Sequence, residues 1–431
     1  MTSQLLHADR LIFTQGNKAK DIYVKMCPSG GTNVTIRRLT ETEIDESLAL
    51  SQFAFQYELP KEELEARKRR EKPEQTWGYF SHGRLAAKMT ILPLDVFING
   101  HVYAMGGIAS VATWPEFRRQ GMVKQLLTRG LKVMKEDGQS VSLLHPFSFG
   151  YYRRYGWEHT FDYKKYTVQR DQLPHYADTS GTVVRKLGND LSLLKQIYEA
   201  YAAKFNGTLI RSDEWWQYRS VLKDQKATVA VYYDRAGTPR GYIVYKVKDR
   251  EMKIDELIHL DETCRRELWR YISNHDSMVE KVTLTAPPDD NLPFLLNEPR
   301  IKQDIIPYFM ARIVDAKRFL EQYPFQPNVE SESCVLHLED QYAPWNDGMY
   351  ALQIDGRGRA NVTVMKQENV NNRSDTSAGL KCNIQTLSTM LLGYQRPSHL
   401  HEIGRLKGAP EDVQRLESLV PQRTPYLLDF F

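Results

Sequence analysis

The stretch from Trp77 to Leu144 constrains the fold most, because it sets paired strands against a single amphipathic helix. Trp77-Gly78-Tyr79-Phe80 faces Arg84 to Leu92 across Ser81-His82-Gly83, a hairpin pattern. Asp95 to Ile98 then faces His101 to Ala104 across Asn99-Gly100, the dipeptide that most favours a two-residue hairpin turn. Gly107 to Thr113 reads as a strand. A helix is expected from Arg118 to Asp137, where Val123, Leu126, Leu127, Leu131 and Met134 recur at three- and four-residue steps. Gly138 ends it, Ser140 to Leu144 is the next strand, and an aromatic loop runs from Phe147 to Trp157.

Upstream, helical patterns cover Glu41 to Tyr57 and Lys61 to Lys72, after a break at Pro28-Ser29-Gly30-Gly31. Downstream the same order returns. A strand near Val183 leads into helices from Asp190 to Phe205 and Glu214 to Leu222. Strands follow at Ala227 to Tyr233, Gly241 to Val247 and Met252 to His259, then a helix from Cys264 to His275. This points to an internal duplication too diverged to show as residue identity. Residues 285–291 read as a loop. Beyond Val314, strands at Cys334 to Glu339, Met349 to Ile354 and Asn361 to Met365 mix with helices at Ile384 to Leu392 and Glu411 to Leu419. The expected division is an N-terminal extension at 1–33 and units at 34–170, 171–314 and 315–431, a length that calls for more than one core.

Composition excludes several classes. Hydrophobic residues at 41% and charged residues at 26% describe a folded chain rather than a disordered one. A net charge of +4, from 58 basic and 54 acidic residues, gives no case for nucleic acid as the main partner. No apolar run approaches the roughly 18 residues of a membrane span, and the first residues lack the pattern of a signal peptide. Cys27, Cys264, Cys334 and Cys382 form no close pair, and the 11 histidines form no metal-like cluster, so neither a disulfide framework nor a metal site is expected. A cytoplasmic protein with reduced thiols is the expectation.

The segment Pro115-Glu116-Phe117-Arg118-Arg119-Gln120-Gly121-Met122-Val123 is electrostatically wrong for an ordinary helix start. Exposed N–H groups there favour acidic residues, yet Arg118, Arg119 and Lys124 crowd this end and no Ser, Thr, Asp or Asn stands at the cap. Both faults vanish if an anion binds. Uncapped N–H groups and basic side chains make a phosphate cradle, and Gly121 lets backbone approach the phosphate.

Strand, Arg-x-x-Gly-x-(Gly/Ala), then helix resembles the pyrophosphate-binding signature of the GNAT acetyltransferases. Tyr151-Tyr152-Arg153-Arg154-Tyr155-Gly156-Trp157 is similar to that family's Phe-Tyr-x-x-x-Gly-Phe. More narrowly the chain resembles the Eis (enhanced intracellular survival) group. The resemblance implies an α/β (α+β) fold of two tandem GNAT-type mixed sheets with flanking helices, the second degenerate, then a sterol-carrier-like domain whose C-terminus returns to the active site. It implies acetyl-CoA as acetyl donor and no metal. Val111 and Thr113 would pair with the pantetheine arm, and Arg118, Arg119, Gly121, Met122 and Val123 would hold the pyrophosphate. Val123 departs from the family's small residue. Tyr152 would be the general acid, and the Phe431 carboxylate the general base. In the second unit Asp261-Glu262-Thr263-Cys264-Arg265-Arg266 has acidic residues where the cradle would be, so that unit is expected to bind no phosphate.

By the same resemblance the helix before the first hairpin borders the acceptor, so Phe53, Phe55 and Tyr57 are candidates to line it, or else a core stripe. Asp429 is a candidate to attract a cationic amine, or else a solvated acid. His145 is expected to be structural. The expected acceptor is a primary amine, either a small molecule such as an aminoglycoside or polyamine, or a lysine side chain. A homo-oligomer is implied, a hexamer among the family's forms. The competing classes are a peptide or protein acyltransferase with a longer acyl donor and a non-catalytic lipid carrier or scaffold.

Overall fold

The computed structural model describes residues 34–176, 180–186, 191–219, 227–328, 330–365 and 379–431. The extension expected at 1–33 lies outside the described residues, as do Asp190 and Leu222 at the limits of two expected helices.

The first unit runs β1 (Val34–Arg38), α1 (Ile44–Phe55), α2 (Lys61–Lys68), β2 (Thr76–Ser81), β3 (Arg84–Ile98), β4 (His101–Thr113), α3 (Met122–Glu136), β5 (Val141–Leu144), α4 (Phe149–Arg153) and β6 (Glu158–Gln169). The second runs β7 (Gly181–Lys186), α5 (Leu191–Ala202), α6 (Asp213–Tyr218), β8 (Thr228–Asp234), β9 (Pro239–Lys248), β10 (Glu251–His259), α7 (Glu262–Ser273), β11 (Lys281–Ala286) and β12 (Lys302–Ile313). The third comprises α8 (Ala316–Gln322), β13 (Glu332–Glu339), β14 (Gly348–Ile354), β15 (Ala360–Met365), β16 (Leu380–Asn383), α9 (Ile384–Leu391), α10 (Pro397–Glu402) and α11 (Pro410–Leu419).

The β3–β4 hairpin turns where Asn99 (φ 49°) and Gly100 (φ 79°) both hold the positive φ that such a tight turn demands. Helix α3 buries Leu126, Leu127, Leu131 and Met134 and leaves Val123 half-buried, as its periodicity requires. It begins at Met122, not at Arg118. Arg119 (φ 65°) and Gly121 (φ 76°) are left-handed, a conformation that no helix continues through, so 118–121 is a loop. The aromatic loop also differs from expectation, because Ser148 accepts from the Tyr151 N–H and caps the short α4.

The two mixed sheets run into one 12-stranded sheet in the order β1-β2-β3-β4-β5-β12-β6-β11-β10-β9-β8-β7. β12, the last strand of the second segment, pairs antiparallel with β5 (Met310 opposite Leu144) and with β6 (Lys302 opposite Thr167). β6, the last of the first segment, pairs in turn with β11 (Ala286 opposite Lys164). Each unit is therefore closed by strands of both segments. Without this exchange, β5 and β11 would each present an unpaired edge. β11 also takes in Thr285 and Ala286, so the loop expected from 285 begins at Pro287.

The third unit folds a sheet in the order β15-β14-β13-β16 and lays α9 over β12 and β6. Beside a shared apolar core, its link to the large sheet includes a fully buried polar tie. Arg312 on β12 donates at 2.7 Å to both carboxylate oxygens of Asp340 and also to the Tyr155 carbonyl, with 0% of its surface exposed. Asp340 further accepts from Asn346 and from the Ala343 N–H. Losing one member of such a buried pair strands the other. Arg312→Met should therefore lower the stability of the chain by about 3–5 kcal/mol, read as a fall in the urea denaturation midpoint. A midpoint equal to wild type would show that this pair does not tie the third unit to the sheet.

Candidate functional site

Strands β4 and β5 are parallel neighbours only from Met105–Ile108 opposite Val141–Leu144. β4 then continues to Thr113, while β5 ends and the chain turns away at His145-Pro146. The two strands split. The β3–β4 register shifts between Lys88 and Thr90, and Ser110 there has φ 50°, so a bulge bends β4 where the split opens. Among the described residues, the edge of β4 from Ala109 to Thr113 has no strand beside it on the β5 side, which leaves Val111 and Thr113 at an open margin.

The chain leaves that margin through Trp114 and enters α3 at its open end. Gly121 is the N-cap, no side chain caps the helix, and its first turn holds no acidic residue. A Cβ at Gly121 would meet nothing within 4 Å, so free space lies over the helix start. Arg118 and Arg119 are exposed, and Lys124 leans toward the Tyr342 ring at 5.7 Å. Met122 is buried, and Val123 packs against the core of the first unit, so its size does not fill the space over Gly121.

Tyr152 lies on α4 with 3% of its surface exposed, its ring 5.3 Å from Tyr151, 5.4 Å from Phe147 and 6.5 Å from Trp157. Burial raises its pKa well above the usual phenol value. It shares a core with Ile108 and Leu144, the last paired residues before the split, and with Met122 of α3. The C-terminal tail approaches the other face. The Phe431 ring sits so close to Gly107 that a Cβ there would lie 2.8 Å from it, and it packs 5.0 Å from Phe309 and 6.2 Å from Trp215. Since alternate residues of a strand face opposite ways, Tyr152 and Phe431 border the split from its two faces.

Family models for an acetyltransferase (GNAT) domain match residues 35–160 and again 207–313, and a sterol carrier protein domain model matches 316–428. The N-acetyltransferase Eis of Mycobacterium tuberculosis is 27% identical over 340 residues, 74% of this chain and 77% of that protein. A probable N-acyltransferase from Enterococcus faecalis is 30% identical, with a TM-score of 0.85 over 93% of this chain and all of the other. Eis1 from Mycobacterium abscessus, 19% identical, shares the fold with a TM-score of 0.75 over 92% of this chain and 100% of its own.

The chain belongs to the Eis family of GNAT acetyltransferases. In this Eis-family chain the second unit repeats the split but not the cradle. β10 and β11 pair in parallel from Glu251 to Ile254, and β10 bulges before Glu256. The following helix, α7, is capped by Asp261, which accepts from the Cys264 N–H at 2.8 Å. The gap beyond is lined by Leu257, His259, Tyr201 and the tail residues Tyr426 and Leu428, and it holds an Arg265–Asp290 ion pair at 3.0 Å.

The acceptor candidates divide. Phe53 and Phe55 are each 52% exposed and Tyr57 is half-buried, whereas Leu48 and Leu50 form the core side of α1. Phe53 stands 5.1 Å from Trp114, at the margin of the split. Asp429 is 5% exposed and already engaged, accepting from Arg211 at 3.0 Å and from the Trp215 indole at 2.7 Å. It faces the protein, not a cleft. His145 has an open side, with Phe430 at 5.0 Å and Tyr308 at 5.5 Å, and this apolar crowd lowers its pKa. Motif reasoning missed Arg211, Trp215, Tyr308 and Phe309. The one available signal was an arginine set in the apolar run Leu209-Ile210 ahead of Trp215-Trp216, a placement that demands buried acids.

The bare space over Gly121 makes a direct test possible. Gly121→Glu puts a side chain and a negative charge there, and acetyl-CoA affinity by titration calorimetry should fall at least about 100-fold, as loss of charge-assisted bonds to a pyrophosphate implies. Unchanged affinity in a folded variant would place the phosphates elsewhere.

Proposed function

We propose that the enzyme transfers the acetyl group of acetyl-CoA to a primary amine (of an aminoglycoside, polyamine or lysine-like acceptor) by direct attack on the thioester. The observation that carries this is the uncapped, basic start of α3, open to free space beside the unpaired margin of β4. Arg118, Arg119 and the N–H groups around Gly121, Met122 and Val123 suit a pyrophosphate, and the backbone at Val111 and Thr113 suits a pantetheine arm. Bound there, acetyl-CoA supplies the acyl group and a thiolate leaving group whose pKa is near ~8.5. Residues 34–170 then hold the donor, 171–314 lack a second cradle, and 315–431 deliver the C-terminus.

The protein's own groups handle the protons. Burial keeps the Tyr152 phenol protonated, as a group must be before it gives a proton to a departing thiolate. The Phe431 carboxylate takes the proton that the amine sheds. A free α-carboxyl with a pKa near ~3.5 is a poor base, but a site that excludes water raises that value. Phe431 is 9% exposed, and the buried guanidinium of Arg211 is paired with Asp429 and Glu256. Phe53, Phe55 and Tyr57 offer an aromatic border for the acceptor.

Tyr152→Phe should reduce turnover about 10²- to 10⁴-fold while acetyl-CoA affinity stays near wild type, because the hydroxyl acts in the transition state. Near-normal turnover would return Tyr152 to a packing role. A glycine added after Phe431 keeps the ring and moves the charge. Turnover in a thiol-release assay with a primary amine should collapse with acetyl-CoA binding retained, and full activity would exclude the carboxylate as base.

A further inference from the structure

The second unit keeps the split of a GNAT sheet but its helix start is capped by Asp261, and the C-terminal tail borders that split. Tyr426 and Leu428 line the gap beyond β10 and β11, and Leu427 turns into the main core. The tail backbone is tied there as well. The Asn206 N–H donates to the Thr424 carbonyl at 3.0 Å, and the Tyr426 N–H donates to the Asn206 carbonyl at 2.9 Å. The Tyr308 hydroxyl donates to the Asp429 carbonyl at 3.1 Å.

Then comes a charged lock. Arg211 bridges Glu256 at 2.5 Å and Asp429 at 3.0 Å, with side-chain exposures of 1%, 1% and 3%. Tyr242 donates to Glu256 at 2.8 Å, and Trp215 and Tyr198 donate to Asp429 at 2.7 and 3.3 Å. Arg211 also lies 3.9 Å over the Tyr198 ring. Each of these holders belongs to residues 171–314.

A buried triad of this kind adds little net stability, since well-packed apolar groups would serve as well. What it adds is direction. Apolar burial of Tyr426, Leu427 and Leu428 tolerates a slip along the groove, because the hydrophobic effect is non-directional. A carboxylate held by a guanidinium and an indole does not tolerate one, since any slip strands buried charge. The lock stands two residues before the chain ends.

We propose that the second unit is a clamp for the C-terminus, and that Glu256, Arg211 and Asp429 position the Phe431 carboxylate at the split of the first unit. This rests on that carboxylate being the base. Arg211, Glu256, Asp429 and Tyr308 are positioning residues, acting only through Phe431. The unit that lost donor binding has thereby kept a part in the reaction.

The test uses the full chain with Asp429→Asn, which keeps the side chain's shape and leaves Arg211 matched one-to-one with Glu256. Three quantities are read: the rate at which carboxypeptidase releases Phe431, turnover with acetyl-CoA and a primary amine, and acetyl-CoA affinity. The expected result is at least tenfold faster release and turnover down about 10- to 100-fold, the loss typical of a small misplacement, with acetyl-CoA affinity unchanged. Tyr308→Phe, a milder change, should move release and turnover in the same directions, and it carries the test if Asp429→Asn fails to fold. Unchanged release in a folded variant would overturn the clamp. Faster release with unchanged turnover would leave the clamp standing as a tail anchor and overturn the base assignment beneath it.

Discussion

Strand β12 is the constraint on which the rest of the architecture depends. It is made last among the strands of the large sheet, yet it lies between β5 and β6, where it completes the first unit. Its residues then serve three purposes at once. Arg312 fixes the third unit through Asp340 and holds the loop carrying Tyr152 through the Tyr155 carbonyl. Phe309 packs on the Phe431 ring, and Tyr308 holds the tail backbone at Asp429. The first unit cannot complete its sheet before residue 313 is made, so its closure waits on a strand far along the chain.

The sheet has two splits, with opposite electrostatics at their helix starts. At α3 the cap is a glycine in the left-handed region, the neighbours are Arg118, Arg119 and Lys124, and the space is free. At α7 the cap is Asp261, whose carboxylate accepts from the Cys264 N–H and from Arg240. An aspartate there satisfies the macrodipole internally and repels phosphate. With that helix start capped by its own chain, the gap in front of it is walled by Tyr426 and Leu428 of the tail and by the Arg265–Asp290 pair.

Much of the first unit was legible because its signals are local. Asn99-Gly100 fixes a turn by its own φ values, and the stripe on α3 is a pattern within one helix. The basic helix start with no cap was legible as a contradiction, though its boundary was misplaced. A helix from Arg118 looked continuous because left-handed backbone at Arg119 is invisible to periodicity. β6 and β12 gave no clear expectation, for separate reasons. β6 carries charged and polar residues at many positions, and β12 contains Pro307, which donates nothing to a ladder and sits where the β6 register shifts. Their places between strands of the other segment are long-range facts that no window of sequence holds. The same applies to Asp429. Its partner Arg211 is far away in sequence, so an exposed acid was as reasonable a reading as a buried one.

The tail shows what such long-range order makes possible. Exposure is 2% at Leu427, 5% at Asp429 and 9% at Phe431, while Leu428 is half-buried and Phe430 is 61% exposed beside His145. That alternation is strand-like, but apart from a bridge at Pro425 the tail's ties are made to side chains and to a loop. A tail held this way has a defined length between its last anchor, Asp429, and Phe431. An aspartate or glutamate on a strand of the split would stay near its own backbone, at a depth fixed by the sheet. A terminal carboxylate can be set at any depth that the anchors choose, and here the anchors belong to a different segment from the uncapped start of α3. On the proposed function, donor binding and proton acceptance draw on different segments of the one sheet, joined through β12.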